Sequence, residues 1–434
     1  MRKELGAVSG YALAKEKGFT GTEEEWLASL GADVEVSTDP TTNRTKITVR
    51  KGNKVTEADI SGVGLKTKEG GEVFGCTNGS VANTAPAKYA HAEGIGCAAS
   101  GPYSHAEGDS CTASGGCAHA EGNNTTASGS YSHAEGGWRT TASGNYSHAE
   151  GDSCTASGDC AHAEGDRCTA GGNCAHAEGS QGRASGASSH AEGNSCQALG
   201  ASSHAEGSYC KTEETARCAH AEGNDSTASG DTSHAEGYNC TASGDCAHAE
   251  GRNGTASGEC AHTEGSGCTA SGGYAAHAEG NSCTASGSYA HAEGLMCKAV
   301  GDGTHAEGNS CTASGSFAHA EGLYSKASGN FAHAEGNSCE AKGQASHAEG
   351  VYTIAHGAAQ HAAGKYNVED TEDAYARVTG GGTAADKRKN IETLDWAGNL
   401  ILGGNVTTGA GNDLDAVAAA LAALEARVQA LESK

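Results

Sequence analysis

The sequence contains few large apolar residues and few basic ones. Its 434 residues include 4 Phe, 3 Trp, 2 Met and 3 Pro, and 28 Lys and Arg stand against 54 Asp and Glu. The formal net charge of −26 argues against a nucleic-acid partner, because phosphate contacts require concentrated Lys and Arg. No apolar run reaches the roughly 18 residues of a membrane span, and no apolar signal-peptide segment follows Met1-Arg2-Lys3. We therefore expect neither membrane insertion nor secretion by a signal peptide.

The dominant feature is a short internal repeat. From His91 to His361, Ser/Ala-His-Ala-Glu-Gly followed by Thr-Ala-Ser-Gly returns almost every 14 residues, which is typical of a solenoid. Each repeat comprises two similar halves, which predicts two short strands and two turns per coil. The strand period of two places Ser147 and Ala149 on one side and His148 and Glu150 on the other. At a strand spacing of roughly 4.8 Å, about twenty coils would extend on the order of 95 Å.

These patterns predict an all-β fold, a parallel β-roll solenoid with a narrow lumen of small residues. The Gly that closes each strand suits a tight corner with φ above zero. Because so thin a roll buries little apolar surface, we expect self-association. The C-terminus carries a heptad seam typical of a coiled coil, formed by Leu414, Val417, Leu421, Leu424, Val428 and Leu431. We predict a homotrimer.

The half-coil frame Ser-x-Ala-x-Gly-x-x resembles the head of trimeric autotransporter adhesins, which implies a left-handed parallel β-roll assembled as a trimer. The flanks resemble bacteriophage and prophage tail-fibre-like proteins instead. That resemblance rests on Tyr11-Ala12-Leu13-Ala14, Gly18 to Leu27, Ser29-Leu30 and the stretch Arg388 to Asn399. In such fibres a larger C-terminal assembly module follows that stretch, whereas here a short coiled-coil sequence follows it.

Five segments follow from these patterns. They are an N-terminal helical attachment segment (1–31), a β-hairpin region (32–75), the β-roll (76–364), a β-rich collar (365–409) and the trimeric coiled coil (410–434). In the second segment, Ile47 and Val49 alternate with polar residues as in a half-buried strand.

The 19 cysteines follow the repeat instead of a disulfide framework. Twelve lie six residues after a repeat histidine, as Cys154 does, and six lie two residues before one, as Cys160 does. Ser and Thr occupy equivalent places. We interpret both classes as small buried residues and expect free thiols, in keeping with synthesis in a reducing cytoplasm.

Each repeat histidine from His91 to His347 is followed two residues later by a glutamate. A metal interpretation would use sets such as His148, Glu150, His162 and Glu164, since imidazole and carboxylate both bind divalent ions. We favour a polar ladder in which each imidazole hydrogen-bonds a glutamate or backbone group of the next coil or subunit, with no cofactor. The outward Thr-Ala-Ser strands leave an ice- or crystal-binding solenoid as another alternative.

Irregularities in the repeat are the candidate receptor contacts. One extra residue occurs near Trp138 and Arg139, and two occur in the segment that contains Tyr209 and Lys211. Tolerated insertions are the alternative. Apolar pairs also recur 28 residues apart, at Leu295-Met296, Leu323-Tyr324 and Val351-Tyr352. We predict that they form an exposed stripe that faces the collar, a second subunit or the target, and we prefer subunit packing.

These observations favour a non-enzymatic fibre protein of a phage or prophage tail, a trimeric spacer and host-surface binding element. Its expected partners are tail or baseplate components through the N-terminal segment, and a host glycan or protein receptor. It would be made in the host cytoplasm and end in the virion tail. The alternatives are a bacterial cell-surface trimeric adhesin and a polysaccharide-degrading tail spike, although a spike needs one unique pair of acids beside a groove.

Overall fold

The computed structural model describes residues 33–38, 45–51, 54–59, 65–66, 72–73, 83–403 and 414–432, with side chains described for 83–403 and 418–429. The chain divides into two compact units, Met1–Ala184 and Ser185–Lys434. The predicted N-terminal helical segment lies outside the described residues. Within the described part of the chain, no helix is long and apolar enough to cross a bilayer.

The first unit begins with an antiparallel sheet of three strands, Asp33–Thr38, Thr45–Lys51 and Lys54–Asp59. Two short strands follow, Leu65–Lys66 and Glu72–Val73, which pair antiparallel. The second of these pairs in parallel with the first strand of the solenoid.

The predicted parallel β-solenoid with coils of about 14 residues is confirmed. Each coil contains a longer strand that begins at the repeat histidine, here called the His strand, and a two-residue strand, here called the Thr strand. In the first unit the His strands are His91–Ile95, His105–Asp109, His119–Asn123, His133–Trp138, His148–Asp152, His162–Asp166 and His176–Ser180. The Thr strands are Ala98–Ala99, Thr112–Ala113, Thr126–Ala127, Thr141–Ala142, Thr155–Ala156, Thr169–Ala170 and Arg183–Ala184.

The second unit repeats this architecture. Its His strands are His190–Asn194, His204–Ser208, His220–Asn224, His234–Tyr238, His248–Arg252, His262–Ser266, His277–Asn281, His291–Leu295, His305–Asn309, His319–Leu323, His333–Asn337, His347–Val351 and His361–Lys365. Its Thr strands are Gln197–Ala198, Lys211–Thr212, Thr227–Ala228, Thr241–Ala242, Thr255–Ala256, Thr269–Ala270, Thr284–Ala285, Lys298–Ala299, Thr312–Ala313, Lys326–Ala327, Glu340–Ala341 and Ile354–Ala355. The collar strands Tyr375–Gly381, Asn390–Asp395 and Leu400–Leu402 and the helix Leu414–Glu432 complete it.

Successive coils pair in register, so that like residues stack on like residues. His148 pairs with His162 and Glu150 with Glu164. Four small side chains per coil fill the lumen, for example Ser147, Ala149, Cys154 and Ala156, all fully buried. The predicted inward and outward alternation is therefore confirmed, and the outward His148 is half-buried.

Two backbone corners of each coil have positive φ, and in most coils a non-glycine residue occupies them. Corner A is the residue two before the repeat histidine, such as Tyr146 (φ 57°), and corner B is the residue five after it, such as Ser153 (φ 59°). The Gly that closes the His strand also has positive φ, as at Gly151 (φ 107°). The Gly that closes the Thr strand does not. A Cβ at Gly158 would instead come closer to the Gly172 carbonyl than the 3.0 Å that real Cβ atoms keep. The predicted reason for glycine is thus right for the first half-coil and wrong for the second.

Asparagine side chains close the Thr-strand ladder at an end of each unit. In the first unit, Asn83 Oδ1 accepts a hydrogen bond from the Cys97 amide at 2.8 Å, and its Nδ2 donates to the Gly94 carbonyl. In the second, Asn367 Oδ1 accepts from the Ile354 amide at 2.8 Å, and its Nδ2 donates to the Ile354 carbonyl. The Asn367 amide therefore takes the place of a further Thr strand, whereas the Asn83 amide adds to the backbone bridge between Thr84 and Ala98.

The collar covers the end of the second unit. Strand Tyr375–Gly381 pairs in parallel with His361–Lys365 and antiparallel with Asn390–Asp395. Gln360 is fully buried beneath it, and its Nε2 donates to Asp370 Oδ2 and to the Tyr375 carbonyl, both at 2.9 Å. A large polar side chain thus fills the lumen where the coils end.

Candidate binding surface

The repeat histidines form stacks of parallel imidazole rings on the outer face of the His strands. The ring centroids of His148 and His162 lie 4.8 Å apart with an interplanar angle of 13°, and His162 and His176 stack at 4.7 Å. This spacing follows from the in-register pairing of parallel strands.

The imidazoles are not hydrogen-bonded in the way the ladder interpretation requires. Most of their Nε2 atoms, including those of His148 and His162, are buried without a hydrogen-bond partner in the described part of the chain. In the interior coils the glutamate of the same coil is too distant for a hydrogen bond, as Nε2 of His148 is 4.0 Å from Glu150 Oε2, whereas His91 at the first coil lies 3.4 Å from Glu93. Only near the end of the stack does the expected inter-coil bond form among the described residues, between His361 Nε2 and Glu349 Oε1 at 3.2 Å. The predicted bond to a glutamate of the next coil is therefore wrong for most interior coils, and the alternative bond to a second subunit stays a prediction.

Burial and stacking favour the neutral imidazole. Burial, followed by repulsion from His133 and His162, lowers the pKa of His148, and the nearby glutamates only partly offset this. The same direction holds at other positions of both units, namely His119, His133, His220, His262, His277, His291, His319 and His347.

The His and Glu rows bring metal-ligating atoms together without forming a ready coordination site. Ligand atoms of His204, Glu206 and His220, for example, lie within 4.8 Å of one another. Two Zn–N bonds span at most about 4.2 Å, whereas the parallel rings of His204 and His220 are separated by 4.8 Å. One ion would have to tilt both rings out of the stack to bind them, and the candidates His148, Glu150, His162 and Glu164 have the same geometry.

The cysteines fall into two classes that the sequence interpretation had merged. The twelve that lie six residues after a histidine are buried, and the six that lie two residues before one are exposed. Buried Cys154 donates through Sγ to the Gly165 carbonyl of the next coil at 3.2 Å, and Thr140 Oγ1 makes the equivalent bond to Gly151 at 2.8 Å. Burial raises the pKa of the Cys240 thiol.

The interpretation of all these cysteines as buried residues is therefore wrong for Cys117, Cys160, Cys174, Cys218, Cys246 and Cys260. They lie at corner A, outside the lumen, with φ between 53° and 57°. All 18 described cysteines are free thiols.

Corner A also displays most of the aromatic side chains of the solenoid. Tyr131 and Tyr146 stack with centroids 5.0 Å apart, and Phe317 and Phe331 stack at 5.4 Å. Tyr146 is 62% exposed and Tyr289 is 64% exposed. This row was not among the predicted contacts, although Tyr or Phe recurs two residues before a repeat histidine in the sequence.

Corner B and the Thr strand enclose two shallow grooves, one in each unit. The first, of about 490 Å³, is lined by Asn124, Thr126, Arg139, Thr141, Ser153 and Thr155. The second, of about 300 Å³, is lined by Ser310, Tyr324, Lys326, Ser338, Glu340, Tyr352, Ile354 and Arg388. Three of the predicted receptor candidates, Arg139, Tyr324 and Tyr352, thus line a groove.

The extra residue near Trp138 is accommodated as a β-bulge. The register of the His strand shifts between Gly136 and Trp138, so that Trp138 pairs with Asp152. A Cβ at Gly137 would meet nothing within 4 Å. Trp138 is 54% exposed, and the exposed Arg139 occupies corner B with φ 53°.

The two extra residues of the segment 208–215 lie after Thr212 and not at Tyr209 or Lys211, because the strands on both sides keep register up to Thr212. Tyr209 occupies the regular corner B, and its amide donates to the Asn194 carbonyl at 2.8 Å as in other coils. Lys211 begins a regular Thr strand and forms an ion pair with Glu213 at 2.8 Å. The extra residues follow that strand, so the exposed Tyr209 and the half-buried Lys211 are regular coil residues and do not belong to a bulge.

The predicted apolar stripe lies at the exposed end of the His strand and at corner B. Leu295, Met296, Tyr324, Val351 and Tyr352 are exposed, and Leu323 is half-buried. Arg388 of the collar donates through Nη1 to the Tyr352 carbonyl at 2.7 Å. Part of the stripe therefore adjoins the collar.

The C-terminal heptad seam lies on the helix Leu414–Glu432. Leu421 is 57% exposed and Leu424 is 55% exposed in the single chain, and Val428 is exposed as well. The side chains of Leu414, Val417 and Leu431 lie outside the described residues.

Comparison with models of protein families and with curated proteins found no match to the chain.

Proposed function

We propose that this chain is a structural and adhesive fibre protein of a phage or prophage tail, which acts as a homotrimeric spacer and host-surface binding element. The observation that carries the proposal is the placement of its aromatic side chains. The lumen is filled with Ala, Cys, Ser and Thr, whereas Tyr and Phe are displayed on an outer corner. Exposed aromatic rows are typical of recognition surfaces, because they supply contact area with little loss of side-chain entropy.

The trimeric state is supported by the C-terminal helix. Its seam residues Leu421, Leu424 and Val428 are exposed, and burying each such side chain against other copies contributes about 1.5–3 kcal/mol. The alternation of three- and four-residue steps matches a coiled coil. A second and third copy of this chain are therefore the proposed occupants of the seam.

Assembly and location follow from the resemblance of the flanks to tail-fibre-like proteins. We propose that the N-terminal segment binds tail or baseplate components, and that the protein is made in the host cytoplasm and ends in the virion tail. The free thiols of the described cysteines fit synthesis in a reducing compartment.

The proposal includes no catalytic step. The outward glutamates repeat in register along the His strands, as Glu150 and Glu164 do. Glycoside hydrolysis requires a distinct acid and a distinct base or nucleophile beside a groove, and the first groove is lined by no carboxylate. Release of reducing sugar from host polysaccharide by the purified protein would contradict this part.

The mass of the full-length protein in solution tests the oligomeric state. We expect light scattering to give three times the chain mass of 43.0 kDa. The double substitution Leu421→Asp and Leu424→Asp should abolish or weaken the trimer, whereas Ala419→Asp, on the opposite side of the heptad, should leave it intact. A wild-type monomer, or equal effects of both changes, would contradict the proposed assembly.

Adsorption to intact bacteria tests the binding role. Labelled full-length protein should adsorb to some strains of a panel, and Tyr131→Ser with Tyr146→Ser should weaken adsorption. Ser188→Thr is the matched control, because Ser and Thr already occur at corner A at Ser188 and Thr232. Absence of adsorption to every strain would refute the binding role and leave a spacer.

A further inference from the structure

The first corner-B groove is lined only by polar side chains from three successive coils. Corner B contributes Asn124, Arg139 and Ser153, and the Thr strands contribute Thr126, Thr141 and Thr155. Hydroxyl groups both donate and accept hydrogen bonds, and the amide of Asn124 offers a donor and an acceptor. The coil spacing sets these groups at regular intervals along the groove.

Arg139 is the one charged residue that lines this groove, and no carboxylate within ion-pair distance neutralises it in the described part of the chain. The bulge explains this. Two coils later, Arg167 occupies the same corner and forms an ion pair with the preceding residue, Asp166, at 3.0 Å. The residue that precedes Arg139 is Trp138. Arg139 therefore lacks the acidic neighbour that neutralises Arg167.

The second groove differs in this respect. Its Arg388 donates to the carbonyls of Tyr352 and Asn367 at 2.7 and 3.0 Å. Its Glu340 pairs with Lys342 at 3.3 Å and with Lys326 at 3.6 Å. The charged groups there are already satisfied within the chain, whereas the guanidinium of Arg139 is available to a ligand.

We propose that the groove around Arg139 binds an acidic saccharide. The guanidinium would hold a sugar carboxylate through paired hydrogen bonds, and the Thr, Ser and Asn side chains would bind the ring hydroxyls. This inference rests on the proposed function, since it names the class of receptor that the fibre recognises.

Binding of short oligosaccharides to the full-length protein, measured by calorimetry, tests the inference. The acidic probes are a galacturonate tetramer, a hyaluronan tetrasaccharide and an α2,8-linked sialic acid trimer, with maltotetraose and inorganic phosphate as comparisons. We expect at least one acidic probe to bind more tightly than both comparisons. Arg139→Asn should weaken that binding about tenfold or more, as expected for hydrogen bonds to a charged group.

Arg167→Asn is the matched control and should leave binding within about twofold, a difference of less than 0.5 kcal/mol. Asn is tolerated at corner B, where Asn124, Asn239 and Asn253 already have positive φ, so neither change should unfold the coil. The inference is overturned if no acidic probe binds, if phosphate or maltotetraose binds as tightly, or if both substitutions weaken binding equally. Cell adsorption by the wild-type protein is measured in parallel, so that failure of the adhesive role and failure of this site are distinguished.

Discussion

Adding a single methyl group at Gly158 should disrupt the solenoid locally. Gly158 faces the next coil. A Cβ there would clash with the Gly172 carbonyl and lie 2.9 Å from the Asn173 amide nitrogen. Real Cβ atoms keep at least 3.0 Å from such atoms. Both neighbours are backbone atoms, so no flexible side chain can move away, and Gly158→Ala must separate the two coils.

The cost follows from the hydrogen bonds that this separation breaks. The Ser157 and Gly158 amides donate to the Ala170 carbonyl at 2.9 and 3.4 Å, and the Thr155 amide donates to the Cys168 carbonyl at 2.8 Å. Two or three bonds at about 0.5–1.5 kcal/mol each, with some groups left buried and unpaired, amount to about 2–4 kcal/mol. That range corresponds to roughly a 30-fold to 1,000-fold increase in local opening.

Hydrogen exchange of the full-length protein, read by mass spectrometry on peptides that cover each substituted glycine and the next coil, measures this opening directly. Gly116→Ala is the control, because a Cβ there would meet only the Pro102 carbonyl oxygen at 4.0 Å and φ is not positive. We expect faster exchange around Gly158→Ala and little change around Gly116→Ala. Equal exchange in the two variants would refute the reasoning that close coil approach requires this glycine.

Two further predictions concern titration and thiol reactivity. Because burial and neighbouring imidazoles lower the pKa of His133 and His148 in the folded chain, the unfolded chain binds more protons below its ordinary histidine pKa of about 6.5. The free energy of unfolding should therefore be highest above that pH and should fall as the pH decreases toward the lower folded pKa. Urea unfolding at pH 7.5 and 5.5 checks this, and equal midpoints would contradict it. Iodoacetamide should modify Cys117, Cys160, Cys174, Cys218, Cys246 and Cys260 in the native protein and reach the twelve buried cysteines only after denaturation; similar rates for Cys154 and Cys160 would show that the two classes do not differ in access.

The sequence was sufficient to predict the coil. Its histidine period and the alternation around His148 identify a parallel solenoid with small residues inside. In-register stacking places each residue of a coil beside the equivalent residue of the next coil, so a regular period implies regular pairing. Ser147, Ala149, Cys154 and Ala156 are buried as that pattern requires. Trp138 and Arg139 were identified because an extra residue breaks the period.

The corners were not predictable from residue type. Corner A accepts Tyr, Cys, Ser, Thr and Phe at positive φ, so composition gave no sign of a left-handed residue, and Cys160 was placed in the lumen. Within the lengthened segment 208–215, Tyr209 and Lys211 were chosen as contacts although the extra residues follow Thr212, because only strand pairing shows where a coil lengthens. The Arg139 groove depends on which acids lie beside which arginines, and that emerges only when coils are stacked.

The asparagine side chains act at the ends of one ladder, that of the Thr strands. An uncapped stack of identical coils would present the same amides and carbonyls at its edge as any coil presents to its neighbour, and would invite further copies to add as in a growing cross-β fibril. Asn83 in one unit and Asn367 in the other satisfy those groups with a side chain. The first and last His strands pair with Glu72–Val73 and Tyr375–Gly381. Among the described residues, both ladders therefore end on segments of this chain that differ from the repeat and would not template a further identical coil.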